Sequence, residues 1–269
     1  MVNGCRVKVT KSIYNAVEAL RDPCSVRILW IDQICIDQNN TEEKIQQVQI
    51  MGDIYKTAGS VVVDLGQPTE QTETDMQRLQ SFMEPHAQGE DAPWSHIAIP
   101  DLERSIGSIL SRPWFTRMWT VQEVVLAKKT TLQCGSHQIR WTCDLRTLRA
   151  LVFHIKSAVV SPVYALHERP ASELDWMPLL YILESQMRQA ARREGVVLQR
   201  NLLDVAFDFR NRRTAMVHDR YFAILGIIEN DQGGSLCFGP DYASGADEVY
   251  QKFKAEIQRV SEIEDVPLA

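Results

Sequence analysis

A tryptophan and a glutamate four residues apart, Trp119 and Glu123, are the side chains best placed to do chemistry in this sequence. On a helix, positions i and i+4 are neighbours on one face. The indole then lies beside the carboxylate, desolvates it in part and raises its pKa. A carboxylate in such a place can stabilise an oxocarbenium-like transition state, as carboxylates do in glycosidases. The same residues also fit a structural account. Trp114, Met118, Val121 and Val125 form an apolar helical stripe, Trp119 extends a core, and Glu123 is exposed or paired with Arg117 or Lys128. Two aspartates come next. Asp32 sits inside an apolar, strand-like run, where a carboxylate costs free energy unless it is hydrogen-bonded, so it is expected to be buried and bonded. Asp37, at the exit of that run, is placed to cap the turn into the next helix. Asp219, before Tyr221, reads as a helix cap.

Other chemistries lack their residues. Gly59, Gly66 and Gly135 are isolated turn glycines rather than a phosphate-binding loop, and no GxSxG elbow occurs; Gly233-Gly234-Ser235 lacks the strand–turn–helix context. The six cysteines (5, 24, 35, 134, 143 and 237) have no CxxC spacing, and the six histidines form no HExxH. No metal site is expected. The cysteine usage reads as reduced thiols of a cytoplasmic protein, with Cys35 and Cys134 in the core.

The elements that must position these residues alternate at first. Residues 6–10 alternate polar and apolar, as in a half-exposed strand, and Ile13, Val17 and Leu20 mark one helix face up to Asp22-Pro23. Val26 to Ile36 is the strongest strand signal, apolar enough to be buried on both faces. Asn40 and Glu43 then read as a helix cap for a helix from about Thr41 to Thr57, with Ile45, Val48, Met51, Ile54, Tyr55 and Ala58 as its apolar stripe. Val61 to Leu65 is the next strand, which makes a parallel βαβ unit. Residues 67–110 read as a partly helical insertion. Ser111 is expected to cap a helix with Pro113 in its first turn, running to about Lys128, followed by a strand over Thr130–Cys134. From Thr142 the periodicity is helical, over about 144–158, 173–195, 201–209, 220–228 and 245–260. The chain thus divides into an α/β part over 1–141 and a helical part over 142–269.

Composition agrees with a globular chain. Of 269 residues, 45% are hydrophobic and 24% charged, and the net charge of −6 argues against a nucleic-acid partner. The longest apolar run, Tyr221 to Ile228, is too short for a membrane span, which needs about 20 residues.

Read in order, three blocks resemble the heterokaryon incompatibility (HET) domain of filamentous fungi. They are Leu29-Trp30-Ile31-Asp32-Gln33-Ile34-Cys35-Ile36-Asp37-Gln38; Gln47-Val48-Gln49 with Met51-Gly52-Asp53-Ile54-Tyr55; and Arg112-Pro113-Trp114-Phe115 with Met118-Trp119-Thr120-Val121-Gln122-Glu123. A weaker fourth block runs from Asn201 to Gly226. The family's usual opening strand, reading like LSYVWG, is missing from this sequence; if that strand is central to the sheet, an open slot results. Asp64 stands where an aromatic residue is common. HET domains in turn resemble TIR domains, so the resemblance implies an α/β, flavodoxin/TIR-like parallel sheet with flanking helices. It further implies self/non-self recognition and cell-death signalling through self-association and a protein partner. Some TIR domains hydrolyse NAD with a glutamate in a Trp-Cys-x-x-Glu motif, which Trp119-Thr120-Val121-Gln122-Glu123 matches with Thr in the Cys position. The resemblance therefore makes Glu123 catalytic and NAD a substrate rather than a cofactor. Trp119, with Asp32, Gln33 and Asp37 at the carboxyl ends of the strands, would bind it. A non-enzymatic interaction module and an inert truncated remnant are the other readings.

Overall fold

The computed structural model describes residues 6–22, 24–87, 90–160, 174–196, 198, 200, 202–228 and 236–264. The Gln232-Gly233-Gly234 loop lies outside them. Thr10 opens the first helix, α1 (Lys11–Leu20), by accepting the Ile13 N–H at 3.3 Å. Residues 6–10 form no strand, because no neighbouring strand takes up their backbone groups. The expected apolar face of α1 is present, but none of its residues is buried.

The largest correction concerns residues 26–36. Instead of a strand buried on both faces, residues 26–31 run unpaired, with Val26 94% and Ile28 97% exposed. Asp32–Cys35 then close a single helical turn, α2. A doubly covered strand needs partners on its edges, and among the described residues none pairs here. Local bonds take over: the Cys35 N–H donates to the Ile31 carbonyl at 2.8 Å, and the Gln33 N–H to Asp32 Oδ1 at 2.7 Å. The expected βαβ unit is therefore incomplete, and Cys35 is exposed rather than in the core.

Helix α3 (Thr41–Thr57) follows its sequence signals closely. Asn40 Oδ1 accepts the N–H groups of Glu42 and Glu43 at 3.1 and 3.2 Å. Glu43 reaches back to the Asp37 N–H at 3.0 Å rather than to Asn40, a variant of the capping box. Val48 and Met51 are buried along the expected stripe.

After β1 (Val61–Asp64) the chain makes α4 (Thr72–Met83), α5 (Ile99–Leu110), α6 (Pro113–Thr116) and α7 (Thr120–Val125) before β2 (Thr130–Cys134) and β3 (His137–Trp141). The sheet has order β1-β2-β3, parallel between β1 and β2 and antiparallel between β2 and β3, so it is mixed rather than wholly parallel. Strand β3 was not evident in the sequence. It follows β2 through a tight turn in which Gly135 has φ 58°, and a Cβ there would lie 2.8 Å from the Pro68 ring. Helices α4 and α5, from the 67–110 segment, bury Met76, Leu79, Phe82, Leu102, Ile106 and Ile109.

The later helices match the periodicity read from Thr142 onward: α8 (Leu145–Val160), α9 (Met177–Arg193), α10 (Leu202–Asp208), α11 (Asp219–Ile228) and α12 (Ala246–Glu264). Helix α9 packs on α7 and α8, and α11 packs on α3 and α7. The apolar run 221–228 is thus a core helix, with Phe222 to Ile228 buried. One apolar cluster joins residues from Val48 to Phe253. Among the described residues, no helix is long and apolar enough to cross a membrane.

Candidate functional site

The expected continuous helix from Ser111 to Lys128 is broken, and the break makes the site. Ser111 ends α5, with its hydroxyl on the Ser108 carbonyl. Pro113 starts α6, Arg117 is extended, and α7 begins at Thr120. On an unbroken helix, at 3.6 residues per turn, residues nine apart point about 180° away from each other. Across the break they meet: Trp114 Nε1–H donates to Glu123 Oε2 at 2.9 Å. The tryptophan bonded to Glu123 is therefore Trp114. Trp119 caps α7 and is partly buried against the core.

Several groups hold the break open. Thr120 Oγ1 lies 2.9 Å from the Trp114 carbonyl and 2.7 Å from that of Arg117. Residues 116–118 are clasped to a distant loop, with Arg213 N–H donating to Thr116 O at 2.7 Å and Met118 N–H to Arg213 O at 2.9 Å. The buried Arg212 guanidinium donates to the Arg117 carbonyl at 3.2 Å and to Thr120 Oγ1 at 3.4 Å. Burial pulls the Arg212 pKa down to about 10.

Glu123 is only half-buried by exposure, yet protein crowds its carboxyl group. Desolvation pushes its pKa up from the ordinary value; the Trp114 indole and the Arg117 charge pull it down, and Asp32 pushes it up. Tyr55 of α3 joins this group. Burial first, then the Glu123 and Asp32 charges, raise its pKa well above the ordinary phenol value, so it is a neutral O–H donor at physiological pH. Tyr55 also packs edge-on against Trp30, with ring centroids 6.0 Å apart.

The structure thus brings Asp32 within electrostatic reach of Glu123 and Tyr55. Asp32 is exposed on the first turn of α2, not buried in a strand as expected, because the run that carries it is not a strand. Gln33 is exposed beside it. Asp37 accepts the Asn39 N–H at 3.0 Å, and so shapes the turn into α3. Asp219 begins α11, and its carboxylate accepts the Tyr242 hydroxyl at 2.8 Å. Tyr55, Trp114 and Arg117 are the neighbours of Glu123 that helical spacing alone does not select. Their signal lies in Pro113 and the non-helical Arg117, which together reorient the segment.

A three-helix junction fixes the frame behind the site. Gly52 of α3 faces Gly226 of α11, so closely that a Cβ on either would lie 2.9 Å from the other's Cα. Gln122, next to Glu123, donates to the Ala223 carbonyl at 2.7 Å. Two surface clefts lie elsewhere. One of about 490 Å³ lies between Cys237 and Arg259, and one of about 340 Å³ between Cys143 and Glu194; neither is lined by Glu123.

Glu123, half-buried and raised in pKa, thus stands on α7 in a fold of helices around a small mixed sheet. Residues 1–123 match the family model of the heterokaryon incompatibility protein (HET) family. A stretch aligned over 136 residues is 35% identical to heterokaryon incompatibility protein 6, OR allele, of Neurospora crassa. The alignment covers 40% of this chain and 20% of that protein, so the chain spans about a fifth of its relative's length. No solved structure matches the chain. Arg212, Arg213 and Gly226, which brace the site, all lie beyond the residues that the family model matches.

Proposed function

We propose that this chain acts in fungal heterokaryon incompatibility, as a cytoplasmic, TIR-like domain that self-associates on recognising a protein partner and triggers cell death by cleaving NAD. The carrying observation is the Glu123 carboxylate, desolvated, raised in pKa and oriented by the Trp114 indole at 2.9 Å. In this reaction the bond between the ribose C1′ and the nicotinamide nitrogen breaks. Nicotinamide leaves with the electron pair, and an oxocarbenium-like centre forms on the ribose. Glu123, ionised, stabilises that charge and takes the proton of the water that adds to C1′. The neutral Tyr55 hydroxyl donates a hydrogen bond in the same recess. Trp119, Asp32 and Gln33 contact the substrate, and Asp37 sets the turn that carries α3 and Tyr55.

NAD turnover by concentrated purified protein, wild type beside Glu123→Gln, tests the chemistry, with circular dichroism confirming that both are folded. Turnover in the wild type, reduced about 100-fold or more in the variant, is expected. Equal turnover in the two proteins, or none from a folded wild type, overturns it.

A further inference from the structure

Among the described residues, strand β1 pairs with β2 along one side and with no strand on the other. The Val61 and Leu65 amides donate to the Lys129 and Gln133 carbonyls at 2.9 and 2.7 Å. By the alternation of a strand, the Val62 and Asp64 amides point to the other side, and among the described residues they meet no acceptor. An open edge of this kind is a template for another strand. The Asp64 carboxylate at that edge is half-buried, accepts only the Gly66 N–H at 3.3 Å, and has no ion-pair partner among the described residues.

The chain also carries a segment suited to such an edge. Residues 26–31 (VRILWI) are unpaired, rich in β-branched side chains and, at Val26 and Ile28, almost wholly exposed. Arg27 interrupts the apolar run; the nearest carboxylate oxygen, on Asp22, is 3.9 Å away. Side chains alternate between faces, so placing Arg27 on the Asp64 face fixes the rest. Leu29 and Ile31 then join Val62 and Asp64, while Val26, Ile28 and Trp30 join the face of Val61, Val63 and Leu65, which is the buried one.

We propose that two copies of this chain associate by strand addition, the 26–31 segment of one copy pairing with the open edge of β1 in the other and Arg27 lying against Asp64. This rests on the self-association reading above and names its surface. Main-chain bonds supply the affinity, and the alternating side chains and the charge pair set the register.

Sedimentation velocity over a concentration series, on the wild type, Ile28→Lys, Arg27→Glu and the double variant Arg27→Glu/Asp64→Arg, tests the surface. The wild type is expected to self-associate. Ile28→Lys abolishes association, Arg27→Glu weakens it about tenfold by setting like charges opposite each other, and the double variant restores it. Ile28 and Arg27 are exposed, so their variants keep the wild-type circular dichroism and melting temperature. Association that persists unchanged in Ile28→Lys and Arg27→Glu overturns this surface and leaves self-association standing. A wild type that remains monomeric at every concentration overturns both.

Discussion

The three-helix junction behind Glu123 and the N-terminal stretch over residues 6–31 are packed in opposite ways. At the junction, α3 and α11 touch backbone to backbone at Gly52 and Gly226, and Gln122 bridges to Ala223. In the N-terminal stretch, α1 buries nothing, and Val26 and Ile28 lie open to solvent. Both regions carry residues of the sequence blocks that resemble the HET domain. What separates them is whether a partner for the apolar face exists within the described chain. The junction has three helices that complete one another. The 26–31 segment has a strand's composition and no strand beside it. A segment of this composition therefore marks a surface suited to burial, whether or not the described chain supplies its cover.

The largest effects, of similar size, are expected at the junction and at Arg212. Gly226→Ala places a Cβ 2.6 Å from Gln122 Oε1 and 2.9 Å from the Gly52 Cα. Backbone cannot retreat as a side-chain end can, so a loss of about 1–3 kcal/mol is expected in urea unfolding despite the better helix propensity of alanine. Unchanged stability would show the helices to be further apart than described.

Arg212→Met is next. It removes the donors to Arg117 O and Thr120 Oγ1, and these are charge-assisted bonds in a buried place. A loss of about 1.5–3 kcal/mol is expected, together with weaker quenching of the Trp114 fluorescence by its neighbours as the α6–α7 break relaxes. A variant as stable as the wild type would mean that the clasp through Arg213 suffices alone.

The pH dependence at Glu123 has a definite sign. Its carboxyl pKa is raised in the fold above the unfolded value, so the folded state holds the proton more tightly. The stability it contributes is present at pH below the unfolded value and is lost as pH rises through the folded value. Glu123→Gln lacks this term. It should equal the wild type near pH 4 and exceed it at pH 7 in chemical denaturation. A variant less stable at pH 7 would reverse the assignment and make the ionised carboxylate the favoured form.

The smallest effect on the single chain is expected at residues 26–31. Ile28→Ser removes an apolar group that is already in water, so the stability of the monomer should change by less than about 0.5 kcal/mol. A drop as large as that at Gly226 would erase the contrast between the two regions.

Much of the fold was legible because it follows from local rules. Asn40 and Glu43 announce α3, and the structure begins that helix where they stand. Val61 to Leu65 and Thr130 to Cys134 read as strands and are β1 and β2. The periodicity after Thr142 matches the five later helices in type and approximate position. Each of these depends on spacing, capping or apolar pattern within a dozen residues. The failures depend on distant partners. Residues 26–36 have the composition of a buried strand, but pairing decides whether a strand forms, and among the described residues no neighbour supplies it. The helix over 111–128 has the periodicity of one piece, but Arg212 and Arg213, about a hundred residues away, clasp its middle and break it.

The candidate site divides along the same line. By itself the sequence determined that Glu123 stands in a mostly apolar stretch beside tryptophans, because residue types and helical spacing are local facts. Only the tertiary structure decided which tryptophan holds it, that Tyr55 and Asp32 share its field, and that α11 fixes the frame. Those relations join positions far apart in the chain, and they exist only once helix packing and the broken α6–α7 segment have brought them to one place.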